Sequence, residues 1–331
     1  VVKTIINDNG GTVVDKNAFG LKIDGVLVPH NVATKVTSGS HTVSEDGLPG
    51  YESGFWGGDC NSNGTITLAL NQNKICTITN NDAQPALTLI KQVVNNNGGT
   101  AVPADWTLTA TGPAGFSGNG PNVSNGANFQ AGTYDLFEGD GPTNYTSSVW
   151  SCVGGSQNDA DTITLAPGES ATCTIINDDI PPNLTLVKRV INDNGGTALP
   201  AEWTLFASGV SNFNGPGPSV TSGSTFKAGS YNLSESTGPA GYTSGDWVCD
   251  GGTQVDGDTV TLAQGESATC TITNDDDAFT TKQINAGHTG TWFNPVTSGQ
   301  GVLVDIDPDQ EFMFIAWFTY TDDASDLSLI H

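Results

Sequence analysis

Residues 184–205 read LTLVKRVINDNGGTALPAEWTL, and the lysine at the fifth position is out of place. Side chains alternate between the two faces of a β-strand, so Lys188 points the same way as Leu184, Leu186 and Val190. An unpaired ammonium on an apolar face is costly, and such a group either loses its charge or finds a partner. The chain holds only ten Lys and Arg in 331 residues. Even so the pattern recurs twice, in Lys91 with Leu87, Leu89 and Val93, and in Lys3 with Val1 and Ile5.

The lysines recur because the sequence does. LTLIKQVVNNNGGTAVPADWTL at 87–108 returns at 184–205, and TITLAPGESATCTIINDD at 162–179 returns at the same offset as TVTLAQGESATCTITNDD at 259–276. A shorter, diverged copy opens the chain, with VVKTIINDNGGTVV at 1–14 and GTITLALNQNKICTITNND at 64–82. A period of this size means tandem domains, each able to bury its own core. The expected boundaries are 1–83, 84–180 and 181–277, joined through QP (84–85) and PP (181–182), with a dissimilar segment at 278–331. Pro at both joins predicts short, stiff connectors. The first copy starts without Met inside a strand, which reads as a mature or trimmed product.

Composition predicts an all-β chain, here three tandem Ig-like β-sandwiches and a C-terminal β-hairpin segment. Short alternating runs bounded by Gly, Asn and Pro are frequent, and no amphipathic helical stretch stands out. NDNGGT and NNNGGT fall between apolar runs, as in a hairpin loop that needs positive φ. A net charge of −25 argues against nucleic acid as a partner, because no basic patch is left to neutralise phosphates. No apolar run is long enough to span a membrane.

The six cysteines fall two per repeat: Cys60 and Cys76, Cys152 and Cys173, Cys249 and Cys270. That distribution reads as one intradomain disulfide each and places the chain in an oxidising, extracellular or cell-surface location. Two Cys per domain without a nearby His make a poor zinc cage. Closing loops of this length contributes roughly 3 kcal/mol each in the chain-entropy account.

The lysines have companions. Glu235 shares a face with Tyr231 and Leu233, Glu138 with Tyr134 and Leu136, and Glu45 with His41 and Val43. In the last strand of each repeat Asn274 follows the face of Cys270 and Ile272, Asn177 that of Cys173 and Ile175, and Asn80 that of Cys76 and Ile78. An inward Lys, Glu and Asn are the parts of an intramolecular isopeptide bond. Burial favours the neutral amine, a nucleophile, and the protonated carboxyl, which polarises the Asn amide and shuttles protons as ammonia leaves. The alternative is a buried Lys–Glu ion pair hydrogen-bonded by Asn, which alone is weak evidence for stability.

The motifs LTLVK, YNLSE and TITND resemble the prealbumin-like domains of collagen-adhesin B-type repeats and Gram-positive pilins. The resemblance covers about 277 residues. It implies a β-sandwich with adjacent first and last strands, Lys91 joined to Asn177 under Glu138, and Lys188 joined to Asn274 under Glu235. Lys3, Asn80 and Glu45 match less fully, since the YxL motif there reads HTVSE (41–45). The disulfides are a departure from many members of that family.

Other sites carry weaker signals. The NDNGG loops (7–11, 192–196) and the acidic exits at 80–82, 177–179 and 274–277 are candidate calcium ligands, although EF-hand spacing is absent. No other cofactor is expected. The histidines at 30, 41, 288 and 331 form no catalytic group. In the tail, GVLVDID and EFMFIAWFTY predict two strands joined by DPDQ, and WFNPVTSGQG with AWFTY resembles a short aromatic module of secreted proteobacterial proteins. Trp292 and Trp317 are candidates for a sugar- or protein-binding surface. Two function classes follow: a structural subunit of a surface fibre, filament or adhesin stalk that self-associates, or a secreted adhesin whose repeats are spacers and whose tail binds a glycan or a host or cell-surface protein. An enzyme acting on an external substrate is not indicated.

Overall fold

The computed structural model describes residues 1–278, 290–293, 300–307, 312–320 and 327–330. Each repeat folds as two facing β-sheets. In the second, one sheet orders Phe116–Asn119, Thr107–Thr111, Gly132–Glu138, Thr162–Leu165 and Ser156–Gln157. The other orders Asn122–Ser124, Ala86–Val94, Ser170–Asp179 and Tyr145–Ser147, with Ser151–Val153 also paired to Ser170–Asp179. The third repeat repeats this order, with Asn183–Ile191 beside Ser267–Asp276. The first is reduced to two four-stranded sheets, with Val2–Ile6 beside Cys76–Asp82.

The strands alternate as the sequence requires. Along Ala86–Val94, Leu87, Leu89 and Lys91 are buried while Ala86, Gln92 and Val94 are exposed. Leu87 and Leu89 from one sheet meet Leu108, Tyr134 and Ile163 from the other, around Trp150. Each such aliphatic side chain contributes about 1.5–3 kcal/mol on full burial. Leu184, Leu186, Leu205, Tyr231, Val260 and Trp247 build the matching core of the third repeat.

First and last strands are parallel neighbours. Lys91 sits opposite Ile175 and Val93 opposite Asn177; Lys3 sits opposite Ile78 and Ile5 opposite Asn80. This corrects the hairpin reading of the Asn-Gly-Gly segments. Ala86–Val94 and the next long strand, Thr107–Thr111, belong to different sheets, so the segment between them is a crossover loop that ends in the short 3-10 helix Pro103–Asp105. Periodicity identifies a strand but not its partner, and here the partner lies at the far end of the repeat.

In the tail, the two expected strands appear as Gln300–Asp307 and Phe312–Tyr320, antiparallel neighbours flanked by Gly290–Phe293 and Leu327–Ile330. Val302 is in register with Trp292 on one side and Trp317 on the other. The side chains of both tryptophans, and His288 and His331, lie outside the described residues. Among the described residues no helix is long and apolar enough to cross a membrane.

Candidate functional site

The parallel pairing brings the first-strand lysine and last-strand asparagine of each repeat onto one inner face, and the strand Gly132–Glu138, or its counterpart, delivers the glutamate from the opposite sheet. Lys3, Lys91 and Lys188 are 1%, 1% and 2% exposed. Lys188 Nζ donates to Glu235 Oε2 at 2.5 Å, and Lys3 Nζ is paired with Glu45 Oε2. Lys91 Nζ lies 2.9 Å from Glu138 Oε1. That contact is an ion pair without hydrogen-bond alignment, and the amine donates to the Gln92 carbonyl at 3.1 Å.

The same carboxylates hold the asparagines. The Nδ2 groups of Asn80, Asn177 and Asn274 donate to Glu45 Oε1 at 2.8 Å, Glu138 Oε2 at 3.0 Å and Glu235 Oε1 at 2.7 Å. Every triad is therefore bridged by its glutamate. The other end of each amide is unsatisfied: Oδ1 of Asn80, Asn177 and Asn274 is buried without a hydrogen-bond partner. A buried acceptor left unpaired costs about 1–3 kcal/mol, and three equivalent occurrences call for an explanation. Burial lowers the pKa of Lys3, Lys91 and Lys188, and the paired glutamate opposes it without cancelling it. Each site thus holds an amine biased toward its neutral form, a carboxyl able to take and return a proton, and an amide in contact with that carboxyl.

A fourth member escaped the sequence reading. The Lys3 ammonium lies 4.2 Å from the ring centroid of Phe19, Lys91 4.7 Å from Trp106 and Lys188 4.6 Å from Trp203. These rings cap the amine with a negative π-face and keep water away. The signal was present in the repeated PADW (103–106) and PAEW (200–203), but only the fold carries the ring over the lysine.

The disulfides join Cys60 to Cys76, Cys152 to Cys173 and Cys249 to Cys270. Cys152 and Cys173 face each other on antiparallel neighbours, as do Cys249 and Cys270. In the second and third repeats these bonds therefore fasten the last strand to the short strands Ser151–Val153 and Val248–Asp250, and not to the first strand.

The acidic exits and the Asn-Gly-Gly loops come together as a carboxylate clasp. Asp179, the last residue of its strand, accepts from the backbone N–H of Asn96 at 3.0 Å, Asn97 at 2.9 Å and Gly99 at 2.6 Å. Asp82 is bound likewise by Asp8, Asn9 and Gly11, and Asp276 by Asp193, Asn194 and Gly196. Gly98 has a φ of 103°. At Gly99 a Cβ would fall 2.8 Å from Asp179 Cβ, so the loop needs both glycines. Tyr145 completes the clasp by donating to Asn95 Oδ1 at 2.6 Å and accepting from Ala101 N–H at 3.0 Å. Asp193, Asp275 and Asp276 bring carboxylate oxygens within 4.8 Å of one another, and both Asp276 oxygens also accept from backbone N–H groups.

Burial alone would raise the pKa of Asp276, but the hydrogen bonds from Gly196, Asn194 and Asp193 outweigh it and hold the value below normal. A depressed folded-state value stabilises the fold above the unfolded pKa, and the contribution is lost as pH falls through the folded one. The Gly196 amide resonance should accordingly titrate with a midpoint below the unperturbed Asp value of about 3.9, losing exchange protection over the same range. A midpoint at or above that value would remove Asp276 as the clasp.

The clasp loops also meet the following repeat. The Asn9 carbonyl accepts from Ala131 N–H at 2.7 Å, and the Asn97 carbonyl accepts from Ala228 N–H at 2.8 Å. Asn97 Nδ2 donates to the carbonyls of Phe226 at 2.9 Å and Ser224 at 3.2 Å.

The family profile described as a prealbumin-like fold domain matches residues 1–78, 82–175 and 179–272. Among solved structures, the chain is similar to the TIE protein of Bacillus anthracis, with 13% identity and a TM-score of 0.38 over 77% of this chain and 57% of that one. It is also similar to the major pilin protein of Streptococcus pyogenes, at 14% identity and a TM-score of 0.28 over 58% of this chain and 97% of that one. The pilus adhesin SpaC of Lactobacillus rhamnosus GG matches at 13% identity and a TM-score of 0.30, over 83% of this chain and 43% of that one. The chain thus spans little more than half the length of the Bacillus anthracis protein. No curated protein matches.

Proposed function

The chain belongs to the prealbumin-like fold domain family, and on that premise we propose that it is an extracellular structural protein, a fibre subunit or adhesin stalk, whose repeats close themselves with Lys–Asn isopeptide bonds. The domains proposed are 1–83, 84–180 and 181–277, with 278–331 as an assembly element. The three buried Asn Oδ1 atoms without partners carry the reading. The oxygen and nitrogen ends of an amide are nearly equal in size, so the side chain can be turned over in place and its acceptor and donor exchanged. If the amide is turned over, a protonated Glu138 donates to the Asn177 carbonyl oxygen and removes the orphan.

The chemistry then runs within the triad. Proton transfer from Lys91 to Glu138 leaves a neutral amine. Nζ attacks Asn177 Cγ and the N–C bond forms, with the oxygen stabilised by the glutamic acid. Glu138 gives its proton to Nδ2, the Cγ–Nδ2 bond breaks and ammonia departs, and the carboxylate so formed takes the second proton from Nζ as the amide forms. Lys188, Glu235 and Asn274, and Lys3, Glu45 and Asn80, are assigned the same roles. This is one turnover per domain and no external substrate is processed.

A tie at this place suits a load-bearing role. Pulling on the start of the first strand and the end of the last loads two parallel neighbours in opposite directions, a shear that their hydrogen bonds alone would carry. The clasp loops add contacts at each joint. Electron microscopy of the native material is expected to show regular fibres, lost when 278–331 is deleted although the three repeats stay folded. Dispersed monomers at high concentration would instead favour a secreted adhesin with the repeats as spacers. For that second reading the support is the backbone register of Trp292, Val302 and Trp317 across three strands.

A further inference from the structure

Among the places where the first repeat departs from its sisters is an aromatic pair in the core. In the second repeat Phe129 stacks on Tyr134 with ring centroids 4.6 Å apart, and in the third Phe226 stacks on Tyr231 at 4.4 Å. Both phenylalanines are buried, at 2% and 3% exposure. The tyrosines are fixed through their hydroxyls, which donate to the carbonyls of Gln130 at 2.7 Å and Lys227 at 2.5 Å, four residues earlier in each case. In the first repeat the tyrosine position is His41 and the phenylalanine position is Val36.

His41 keeps the tyrosine's place. Its Nε2 lies 2.8 Å from the Thr37 carbonyl, again four residues earlier, and its Nδ1 lies 2.6 Å from Asp24 Oδ2. The imidazole is 7% exposed and is held from both nitrogens. Val36 does not replace the phenyl ring, and it is 40% exposed. A cavity of about 130 Å³ opens there, lined by Val36, Val43, Ile66, Leu68 and His41, with Gln72, Asn73 and Lys74 on its polar side. An apolar cavity of about 150 Å³ is enough to hold benzene.

We propose that this cavity is a binding site for a small, neutral, monocyclic aromatic molecule. The ring would occupy the volume that Phe129 and Phe226 fill in the sister repeats and stack on His41. The amides of Gln72 and Asn73 offer hydrogen bonds to one polar substituent, as in a phenol. A neutral ring is favoured because Val36, Val43, Ile66 and Leu68 offer no partner to a full charge buried among them.

The test is a titration of the full chain, carbon-13 labelled at its methyl groups, with phenol and separately with cyclohexanol, which has similar bulk but no π-face. Phenol should shift the methyl resonances of Val36, Val43, Ile66 and Leu68 saturably, and bind roughly three- to tenfold tighter than cyclohexanol, as expected of one ring–ring stack. Val36→Phe supplies the missing ring and should abolish the phenol response, while the methyl spectrum of the other repeats stays unchanged. The proposal is overturned if neither compound shifts these methyls, if cyclohexanol binds as well as phenol, or if Val36→Phe binds phenol undiminished. Should Val36→Phe fail to fold, Val36→Leu is the substitute, with phenol affinity expected to fall and an unchanged affinity counting against the site.

Discussion

The intact, nonreduced protein is expected to weigh less than its sequence by one ammonia for each cross-linked repeat, beyond the hydrogens lost to its three disulfides. Digestion should release branched peptides joining Lys91 to Asn177 and Lys188 to Asn274. Glu138→Gln should restore one ammonia to the mass and leave the bond of the third repeat in place, because Glu235 serves that repeat separately. The glutamine fills the same space and can still hydrogen-bond, but it cannot carry a proton from the amine to the leaving nitrogen. A lost general acid–base is worth roughly 10²- to 10⁴-fold in rate, enough to turn a complete reaction into an undetectable one over the life of a preparation. An unmodified wild-type mass with free lysines would sink the covalent reading. The buried ion pair would then be the end state. A bond that still forms in the Glu138→Gln variant would remove the glutamate from its role.

Asp179→Ala should be the most damaging single change outside the triads. It deletes the acceptor of three backbone N–H groups, one of them on buried Asn97. Water can reach Asn96, which is exposed, so the loss should be about 2–4 kcal/mol, less than three times the cost of one buried unpaired donor. Asp179→Asn should recover little, since half of the amide presents hydrogens to donors already pointing at it. The readout is hydrogen exchange in the full chain: amides of Asn96, Asn97 and Gly99 should lose protection first, with the first repeat unaffected. Unchanged protection there would mean that the loop is held by its glycines and by Tyr145 alone.

The clasp and the triad act on the same pair of strands from different places. The triad joins them in the core, the clasp joins the loop after the first strand to the end of the last, and the disulfide fastens the last strand to its other neighbour. A disulfide therefore would not make the proposed isopeptide redundant. Reduction should loosen the strand that carries Cys152 while leaving the path from Lys91 to Asn177 intact.

Much of this was legible in the chain because strand periodicity is a local property. The alternation in Leu184-Thr-Leu-Val-Lys188 puts a lysine on an apolar face whatever it packs against, and recurrence in three copies identified Glu and Asn as its companions. The sandwich class and the pairing of two cysteines per repeat follow from the same local signals. What the sequence could not state is which strand lies beside which. The Asn-Gly-Gly segments resemble hairpin turns because the glycines set local backbone angles, yet their carboxylate partner is Asp82, Asp179 or Asp276, at the far end of the repeat. Trp106 and Trp203 likewise read as ordinary core residues until the crossover carries them over the lysines. The cavity beside His41 is of the same kind: a valine in place of a phenylalanine is a conservative apolar change in sequence, and becomes an opening only where neighbouring side chains have no freedom to close it. Local chemistry follows from residue order, whereas pairing and packing depend on contacts between residues far apart in the chain, and those the tertiary structure alone decided.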